Sequence, residues 1–238
     1  MPPIPWQMAV VREIFVETPE TKTFRLDLEQ PIEFLPGQYV NIRFDFPDKG
    51  RVQRAYSIDS SPIHSDFIDL TIRKFEDGTV SKHMCDVVQP GDKIETRGPF
   101  GRFVWTPDLG GPLYLIAAGS GIVPLMCMIR YCDDLSIHDI PIRLLYSSKS
   151  WEYIIHRDQL FEIEARMPNL EVIHTLTRAP DDPRVKYHRR IDKEMIAENL
   201  MEGALCYVCG PPQMCEDSEK YLLELGVPAE RIKLEKYD

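Results

Sequence analysis

Four consecutive residues, Arg54, Ala55, Tyr56 and Ser57, place a permanent cation, a flat ring and a hydroxyl within one short segment. A guanidinium pairs with phosphate, a tyrosine ring packs against a planar heterocycle, and a hydroxyl hydrogen-bonds to the edge of such a ring. A flavin offers all three partners. An ordinary strand, with its arginine paired to a surface carboxylate and its tyrosine half-buried, would show the same four residues.

A second segment with chemical potential is the turn Gly119-Ser120-Gly121, which follows an apolar run and precedes a helical pattern. Bare backbone amides at a helix amino terminus can approach a pyrophosphate closely. The full dinucleotide fingerprint requires a third glycine at position 124, where this chain has Pro124. The turn therefore predicts a nucleotide site with a different loop, and a ligand-free strand-to-helix turn is the alternative.

A third segment, Cys209-Gly210-Pro211-Pro212, lies at the carboxyl end of another apolar run. A compact thiol can border a planar ring without crowding it, and the two prolines suit the first turn of a helix. The alternative is a strand end that carries a buried cysteine.

The elements that must position these segments differ between the two halves of the chain. The first hundred residues contain short β-branched and aromatic runs between turn residues, which predict a six-stranded antiparallel barrel with strands at 10–16, 22–28, 38–46, 54–58, 67–75 and 93–97. A short helix is expected after Val80, capped by Ser81, with Met84, Val87 and Val88 on one face.

The pattern changes near residues 105–112, which we interpret as a linker between domains 1–105 and 106–238. Beyond it, apolar runs alternate with helical patterns, which is typical of a parallel sheet covered by helices on both faces. We expect strands at 113–118, 142–146, 171–176, 204–208 and 231–235, and helices from 122, at 157–166, from 192 and at 213–225. Ligands of such sheets bind at the carboxyl ends of the strands.

Composition excludes several classes of protein. The 238 residues carry 38 acidic and 28 basic side chains, a formal net charge of -10, which disfavours non-specific nucleic-acid binding. No run of 18 apolar residues is present, so no membrane span is expected. The first ten residues resemble neither a secretion signal nor a transit peptide, and we expect a cytoplasmic protein.

The cysteines and histidines do not form a metal-binding pattern. Cys127 and Cys132 have the first spacing of a plant-type iron-sulfur loop, but Leu135 stands where the next cysteine is required. Cys206, Cys209 and Cys215 have no fourth cysteine nearby and no matching Cys-x-x-Cys elsewhere, so buried free thiols are favoured over zinc. We interpret the three remaining candidates as surface residues and assign no metal: His138, His156 and His188.

Taken in order, the motifs resemble those of the ferredoxin-NADP reductase superfamily over nearly the whole chain. The matching segments are Arg-x-Tyr-Ser at 54–57, Gly-x-x-Ser at 78–81, Gly-Pro-Phe-Gly at 98–101, Gly-Ser-Gly-Ile-Val-Pro at 119–124 and Cys-Gly-Pro-Pro at 209–212. The resemblance implies an amino-terminal barrel for FAD and a carboxyl-terminal α/β domain for NADPH or NADH.

The resemblance also implies a role for each flavin-site residue. Arg54 would pair with the FAD pyrophosphate, Tyr56 would stack on the isoalloxazine, and Ser57 would hydrogen-bond near its N5 atom. The flavin would also be lined by the backbone of three residues, Thr71, Ile72 and Arg73. Its pyrophosphate would be held by the turn that contains Gly78, Thr79, Val80 and Ser81.

For the pyridine nucleotide, the resemblance places the pyrophosphate at Gly119, Ser120 and Gly121 and the nicotinamide beside Cys209, Gly210 and Pro211. Glu235 would relay a proton, and Tyr237 would close over the flavin, although Asp238 follows it here. The implied catalytic residues are therefore Ser57, Cys209, Glu235 and Tyr237.

Arg178, with Ser148, Lys186 and Tyr187, loosely resembles the residues that hold a 2′-phosphate in NADP-preferring members. This set favours NADPH slightly. An arginine after a threonine also occurs in members that use NADH.

The implied function is that of a FAD-containing reductase, which accepts hydride from NAD(P)H and passes electrons to a separate partner such as a ferredoxin or an oxygenase component. Two alternatives are a reductase of free flavin and a non-catalytic, nucleotide-sensing subunit. The intact turn at 78–81 argues against the first alternative. The presence of Ser57, Cys209 and Glu235 together argues against the second.

Overall fold

The computed structural model describes residues 4–237 of the chain. Turn residues divide the first hundred residues into six strands. The strands are β1 (Gln7–Thr18), β2 (Thr21–Leu28), β3 (Tyr39–Phe46), β4 (Gly50–Ser57), β5 (Phe67–Arg73) and β6 (Lys93–Phe100). They form one antiparallel sheet in the order β4-β3-β6-β1-β2-β5. The predicted six-stranded antiparallel domain is confirmed.

This sheet curls around an apolar core. Its alternating side chains fill the interior, and Phe24, Ile42 and Leu70 are completely buried there. The two outer strands approach each other, because the Asp59 amide just beyond β4 donates to the Asp69 carbonyl of β5 at 2.8 Å. The curled sheet thereby places the end of β4 beside β5.

Helix α1 (Thr79–Asp86) follows β5 and differs from the prediction. Gly78 is its N-cap residue and Ser81 lies in its first turn, so the predicted Ser81 cap is wrong. The Ser81 hydroxyl instead accepts a hydrogen bond from the Phe75 amide at 3.4 Å. Val87 is 56% exposed and does not share the buried face.

The second half contains five parallel strands: β7 (Leu113–Ala118), β8 (Ile142–Ser148), β9 (Leu170–Leu176), β10 (Leu205–Gly210) and β11 (Ile232–Lys236), in the order β11-β10-β7-β8-β9. Helices α2 (Ile122–Asp134) and α3 (Arg157–Arg166) pack in one apolar cluster with this sheet. Helices α4 (Lys193–Asn199) and α5 (Pro212–Glu224) pack in another. The predicted α/β half is confirmed.

The strand order reverses direction at β7, since β8 lies on one side of it and β10 on the other. Parallel sheets bind ligands at such a point, beyond the carboxyl ends of the strands. The turn at 119–121 and the segment at 209–212 meet there.

The residues between the sheets are packed, and Trp105 is completely buried with its Nε1 donating to the Gly110 carbonyl at 2.9 Å. Within residues 4–237, none of the helices has the length and apolar character needed to cross a bilayer.

Candidate functional site

A cavity of about 600 Å³ lies between β4, β5, α1 and the end of β11. Most residues of the flavin-site prediction line it, namely Arg54, Tyr56, Ser57, Thr71, Arg73, Gly78, Thr79, Val80, Ser81 and Tyr237. Ser120, predicted for the nucleotide pyrophosphate, and Glu235, predicted as a proton relay, line it as well. Ile72 is not among the lining residues, and its side chain is completely buried in the core of the first sheet. The predicted contact through its backbone stays a prediction. The sheet and the helix thus bring segments separated by 180 residues to one cavity.

Arg54 and Tyr56 lie on β4, the outer strand of the sheet, opposite Ile42 and Val40 of β3. The Arg54 guanidinium is exposed, and Nη1 donates only to the Gln53 carbonyl at 2.8 Å; it forms no ion pair within residues 4–237. An anion entering the cavity can therefore bind it without displacing a carboxylate. Tyr56 is half-buried, and burial raises the pKa of its hydroxyl, which keeps the ring neutral.

The amino terminus of α1 forms a second wall. A Cβ atom at Gly78 would stand 2.2 Å from the Ser81 hydroxyl oxygen, so a larger residue there would displace that hydroxyl. Among residues 4–237 no side chain caps this terminus, which leaves its amides available to an anion. Lys49 brings a further cation there, with Nζ 3.0 Å from the Thr79 hydroxyl. Lys49 belongs to none of the sequence motifs, because Thr79, the residue that it contacts, lies 30 positions away.

The Ser57 hydroxyl, at the end of β4, contacts two residues from the end of the chain. It lies 2.5 Å from the Tyr237 hydroxyl and donates to Glu235 Oε1 at 3.2 Å. Glu235 in β11 is paired in register with Cys209 of the neighbouring β10. The four predicted catalytic residues, Ser57, Cys209, Glu235 and Tyr237, therefore occupy one place in the structure.

Burial controls the ionisation of this group. It raises the pKa of Glu235 to about 7, although hydrogen bonds from Ser57 and Tyr237 act in the opposite direction. Burial also raises the pKa of the Cys209 thiol well above its usual range, as does the nearby Glu235. Cys209 is consequently a neutral thiol and not a nucleophilic thiolate, while Glu235 exchanges a proton near neutral pH.

A neighbouring groove of about 400 Å³ joins this cavity, because Arg73, Ser120 and Tyr237 line both. Its other walls include the predicted nucleotide residues Gly119, Gly210 and Pro211. Gly121 and Cys209 are buried beneath the groove, and they support it without lining it. A Cβ atom at Gly121 would stand 2.1 Å from the Cys209 carbonyl oxygen, so the two loops pack through bare backbone.

Lys149 lines the groove, whereas Lys186 and Arg178 are not among its lining residues, and both lysines are paired with carboxylates. Lys149 is held by Glu20 of the first sheet at 2.9 Å. Lys186 pairs with Glu198 at 2.6 Å, and the Tyr187 hydroxyl bonds to the same carboxylate. Ser148 is buried in the groove wall, and Arg178 is exposed and forms no ion pair within the described part of the chain. The preference for NADPH or NADH stays a prediction.

The interpretation of His156 as a surface residue is wrong. Its side chain is 4% exposed and lies between two carboxylates, with Nε2 2.8 Å from Asp59 and Nδ1 3.2 Å from Glu17. His138 is exposed and His188 partly exposed. Both partners of His156 come from the first half of the chain, which no local pattern could reveal.

The cavity fits a flavin dinucleotide. An unpaired guanidinium and an uncapped helix terminus face the same space as the Tyr56 ring and the Ser57 hydroxyl. These are the partners of a pyrophosphate, a planar ring and a ring edge. Thr71 and Arg73 of the neighbouring strand β5 also line the cavity.

This fold and site are those of a two-part flavin- and nucleotide-binding protein. The family model described as Oxidoreductase FAD-binding domain matches residues 8–105, and the Oxidoreductase NAD-binding domain matches residues 115–220. NADH-cytochrome b5 reductase 1 of Lodderomyces elongisporus is 30% identical over 210 residues, which cover 85% of this chain and 69% of that protein. The chain belongs to the ferredoxin-NADP reductase superfamily.

A second relative is the ferredoxin reductase component of 3-ketosteroid-9-alpha-monooxygenase from Mycobacterium tuberculosis, 30% identical over 205 residues that cover 86% of this chain and 55% of that protein. The chain therefore spans about half the length of this relative. The FAD/NAD-binding domain of nitric oxide dioxygenase from Vibrio cholerae shares the fold, with a TM-score of 0.88, 22% identity and coverage of 97% and 98%.

Proposed function

We propose that this chain is a FAD-containing, NAD(P)H-dependent reductase that accepts hydride from a nicotinamide nucleotide and passes electrons to a separate redox protein. The observation that carries the proposal is the contact of Ser57 with Glu235 and Tyr237 where the flavin cavity meets the nucleotide groove. A ferredoxin or an oxygenase component is the proposed acceptor, because one relative is named as the ferredoxin reductase component of a monooxygenase.

The proposed roles of the residues follow from their positions. FAD, when bound, supplies the exchange between a two-electron hydride donor and one-electron acceptors. Arg54 and the amino terminus of α1 hold phosphate. Ser57 presents its hydroxyl to the cavity, and Glu235 behind it takes up or releases a proton at Oε1 near pH 7. Tyr237 covers the passage to the groove and excludes water until nucleotide arrives.

The proposal assigns FAD to residues 1–105, the nicotinamide nucleotide to residues 106–238, and the protein to the cytoplasm. Residues 4–237 contain six cysteines, all buried and free, which fits a reducing compartment.

Anaerobic mixing of the FAD-loaded protein with NADH and with NADPH tests the proposal. We expect loss of the visible flavin absorbance with at least one nucleotide, and reoxidation by a one-electron acceptor protein. Gel filtration beforehand distinguishes bound FAD from free flavin used as a substrate. Unchanged flavin absorbance with both nucleotides would overturn the proposed activity and favour the nucleotide-sensing alternative.

A further inference from the structure

Behind the flavin cavity, four charged side chains form a buried cluster between the two halves of the chain. This interdomain cluster consists of Glu17, Asp59, Arg130 and His156. Asp59 is completely buried and contacts His156 Nε2 at 2.8 Å and Arg130 Nη1 at 2.8 Å. His156 Nδ1 lies 3.2 Å from Glu17. The carboxylates come from the first half and the cations from the second.

The cluster holds the wall of the flavin cavity. Thr71, which lines the cavity, donates from its hydroxyl to Asp59 Oδ2 at 2.5 Å. Asp59 follows Ser57 by two residues, and its carbonyl accepts a bond from Arg130 Nη1 at 2.5 Å. The position of Asp59 therefore constrains both Ser57 and Thr71.

The same cluster reaches the nucleotide-binding half. Arg130 lies on α2, the helix that begins immediately after the turn at 119–121. His156 immediately precedes α3 and has a φ of 57°, an uncommon conformation for a residue with a side chain. In this conformation both ring nitrogens face carboxylates, so each must carry a proton to donate.

The surroundings of His156 determine its charge. Burial alone would lower its pKa, and Arg130 acts in the same direction, but Asp59 and Glu17 outweigh both and raise the pKa to about 9. The charged groups that act on it are Asp59, Arg130 and Glu17. From β8, the Tyr146 hydroxyl interacts with Glu17 and Asp59 and accepts a hydrogen bond from the Ile155 amide at 3.3 Å. The imidazole ring is therefore protonated at neutral pH.

We propose that His156, as an imidazolium between Asp59 and Glu17, is a positioning residue that fixes the Ser57 and Thr71 wall of the flavin cavity against the nucleotide-binding half. It touches neither cofactor cavity, since it lines neither of them. The inference rests on the proposed function, because the geometry it maintains is that between flavin and nicotinamide.

His156→Gln tests this role, since glutamine keeps a hydrogen-bond donor but has no charge. His138→Gln removes an exposed histidine and is the matched control. We expect the His156 variant to retain FAD but to lose about tenfold or more in its limiting rate of reduction, because small misplacements of reacting groups have effects of this size. Its affinity for nucleotide should stay within about threefold of wild type, since the groove residues are unchanged.

The pH profile separates positioning by charge from simple packing. The wild-type reduction rate should fall as pH rises through about 9, the pKa of His156, and this inflection should be absent in His156→Gln. A variant with the wild-type rate and the wild-type pH profile would overturn the proposal.

Two measurements do not depend on turnover. The folded-state pKa of His156 lies above its ordinary 6.5, so its stabilisation is complete below pH 6.5 and is lost as pH rises through about 9. The unfolding midpoint of wild type should therefore fall over this range relative to His156→Gln. The visible circular dichroism of bound FAD should also differ between the two proteins, because the cavity wall moves.

If His156→Gln does not fold, Asp59→Asn is measured in the same ways, because asparagine has nearly the size of aspartate but carries no charge. Identical flavin dichroism and parallel pH–stability curves in the folded variant would refute the positioning role. If wild type is not reduced by either nucleotide, the proposed activity fails, while the dichroism and the stability curves still decide the role of His156.

Discussion

The Ser57 and Tyr237 hydroxyls lie 2.5 Å apart although 180 residues separate them in the chain. Ser57 ends a strand of the antiparallel sheet, and Tyr237 directly follows the last strand of the parallel sheet. The Tyr237 amide also donates to the Gly210 carbonyl at 2.9 Å, which holds Tyr237 at the groove. The ring thus lies between the two cavities that it lines, and we expect a nicotinamide ring that crosses from the groove to the flavin to displace it.

Tyr237→Ser should bind pyridine nucleotide about tenfold more tightly than wild type, about 1.4 kcal/mol, because the ring no longer competes for the passage. Difference-absorbance titration of the FAD-loaded protein with NAD⁺ and NADP⁺ measures this change. Tyr237→Phe keeps the ring and loses only the hydroxyl, so its affinity should stay close to wild type. Unchanged or weaker binding by Tyr237→Ser would show that the ring does not obstruct the nucleotide.

Arg54→Ala should weaken FAD binding by about 10- to 100-fold, the usual range for one charge-assisted hydrogen bond to phosphate. Arg51 lies on the same strand, but it pairs with Asp45 at 2.9 Å and points away from the cavity lining, so Arg51→Ala is the matched control. Titration of the apoprotein with FAD, followed by flavin fluorescence, gives both affinities. Equal FAD retention by the two variants would be evidence against the proposed phosphate contact.

Glu235→Gln should remove the pH dependence of flavin reduction near neutrality. The wild-type carboxyl titrates at about pH 7, and loss of a positioned acid or base lowers rates by about 10²- to 10⁴-fold. The rate is measured by stopped flow between pH 5.5 and 8.5, about 1.5 units on each side of this pKa. A Glu235→Gln rate that keeps the wild-type inflection would assign the titration to another group.

The same carboxyl affects stability with a defined sign. Its folded-state pKa is raised above the ordinary 4.5, so its contribution is present below pH 4.5 and is lost as pH rises through about 7. The unfolding midpoint of wild type should therefore decline over this range relative to Glu235→Gln. If the unfolding midpoints of the two proteins change in parallel with pH, the pKa of Glu235 is not raised by burial.

Much of the fold could be predicted because it depends on local patterns. The bounds of β7 and α3 agree with the apolar run at 113–118 and the helical pattern at 157–166. Helix α1 was predicted less accurately, since the turn at 75–78 and not a side-chain cap sets its start. Motif order likewise predicted which residues meet at the flavin cavity.

What the sequence could not predict depends on contacts between distant residues. Glu17 and His156 are 139 positions apart, and no local periodicity relates them. The protonated state of Cys209 follows from its burial by the surrounding strands. The residues next to it in the sequence do not indicate that burial. The pairing of Lys149 with Glu20 arises in the same way, from a turn of one sheet that meets the strand end of another.

Gly121→Ala should destabilise the protein and weaken nucleotide binding together. The added Cβ would stand 2.1 Å from the backbone oxygen of Cys209, and backbone cannot rotate away as a side chain can. Overpacking of this kind costs about 1–3 kcal/mol, and each kcal/mol lowers the unfolding midpoint of a protein of this size by about 2–4 °C. Ser120→Ala, at the neighbouring position, introduces no such contact and should unfold within about 1 °C of wild type. Thermal unfolding of both variants, and nucleotide titration of Gly121→Ala against wild type, give the comparison. The two loops that meet at Gly121 line or support the groove. A lowered unfolding midpoint with unchanged nucleotide affinity would therefore show that the packing of these loops does not affect nucleotide binding.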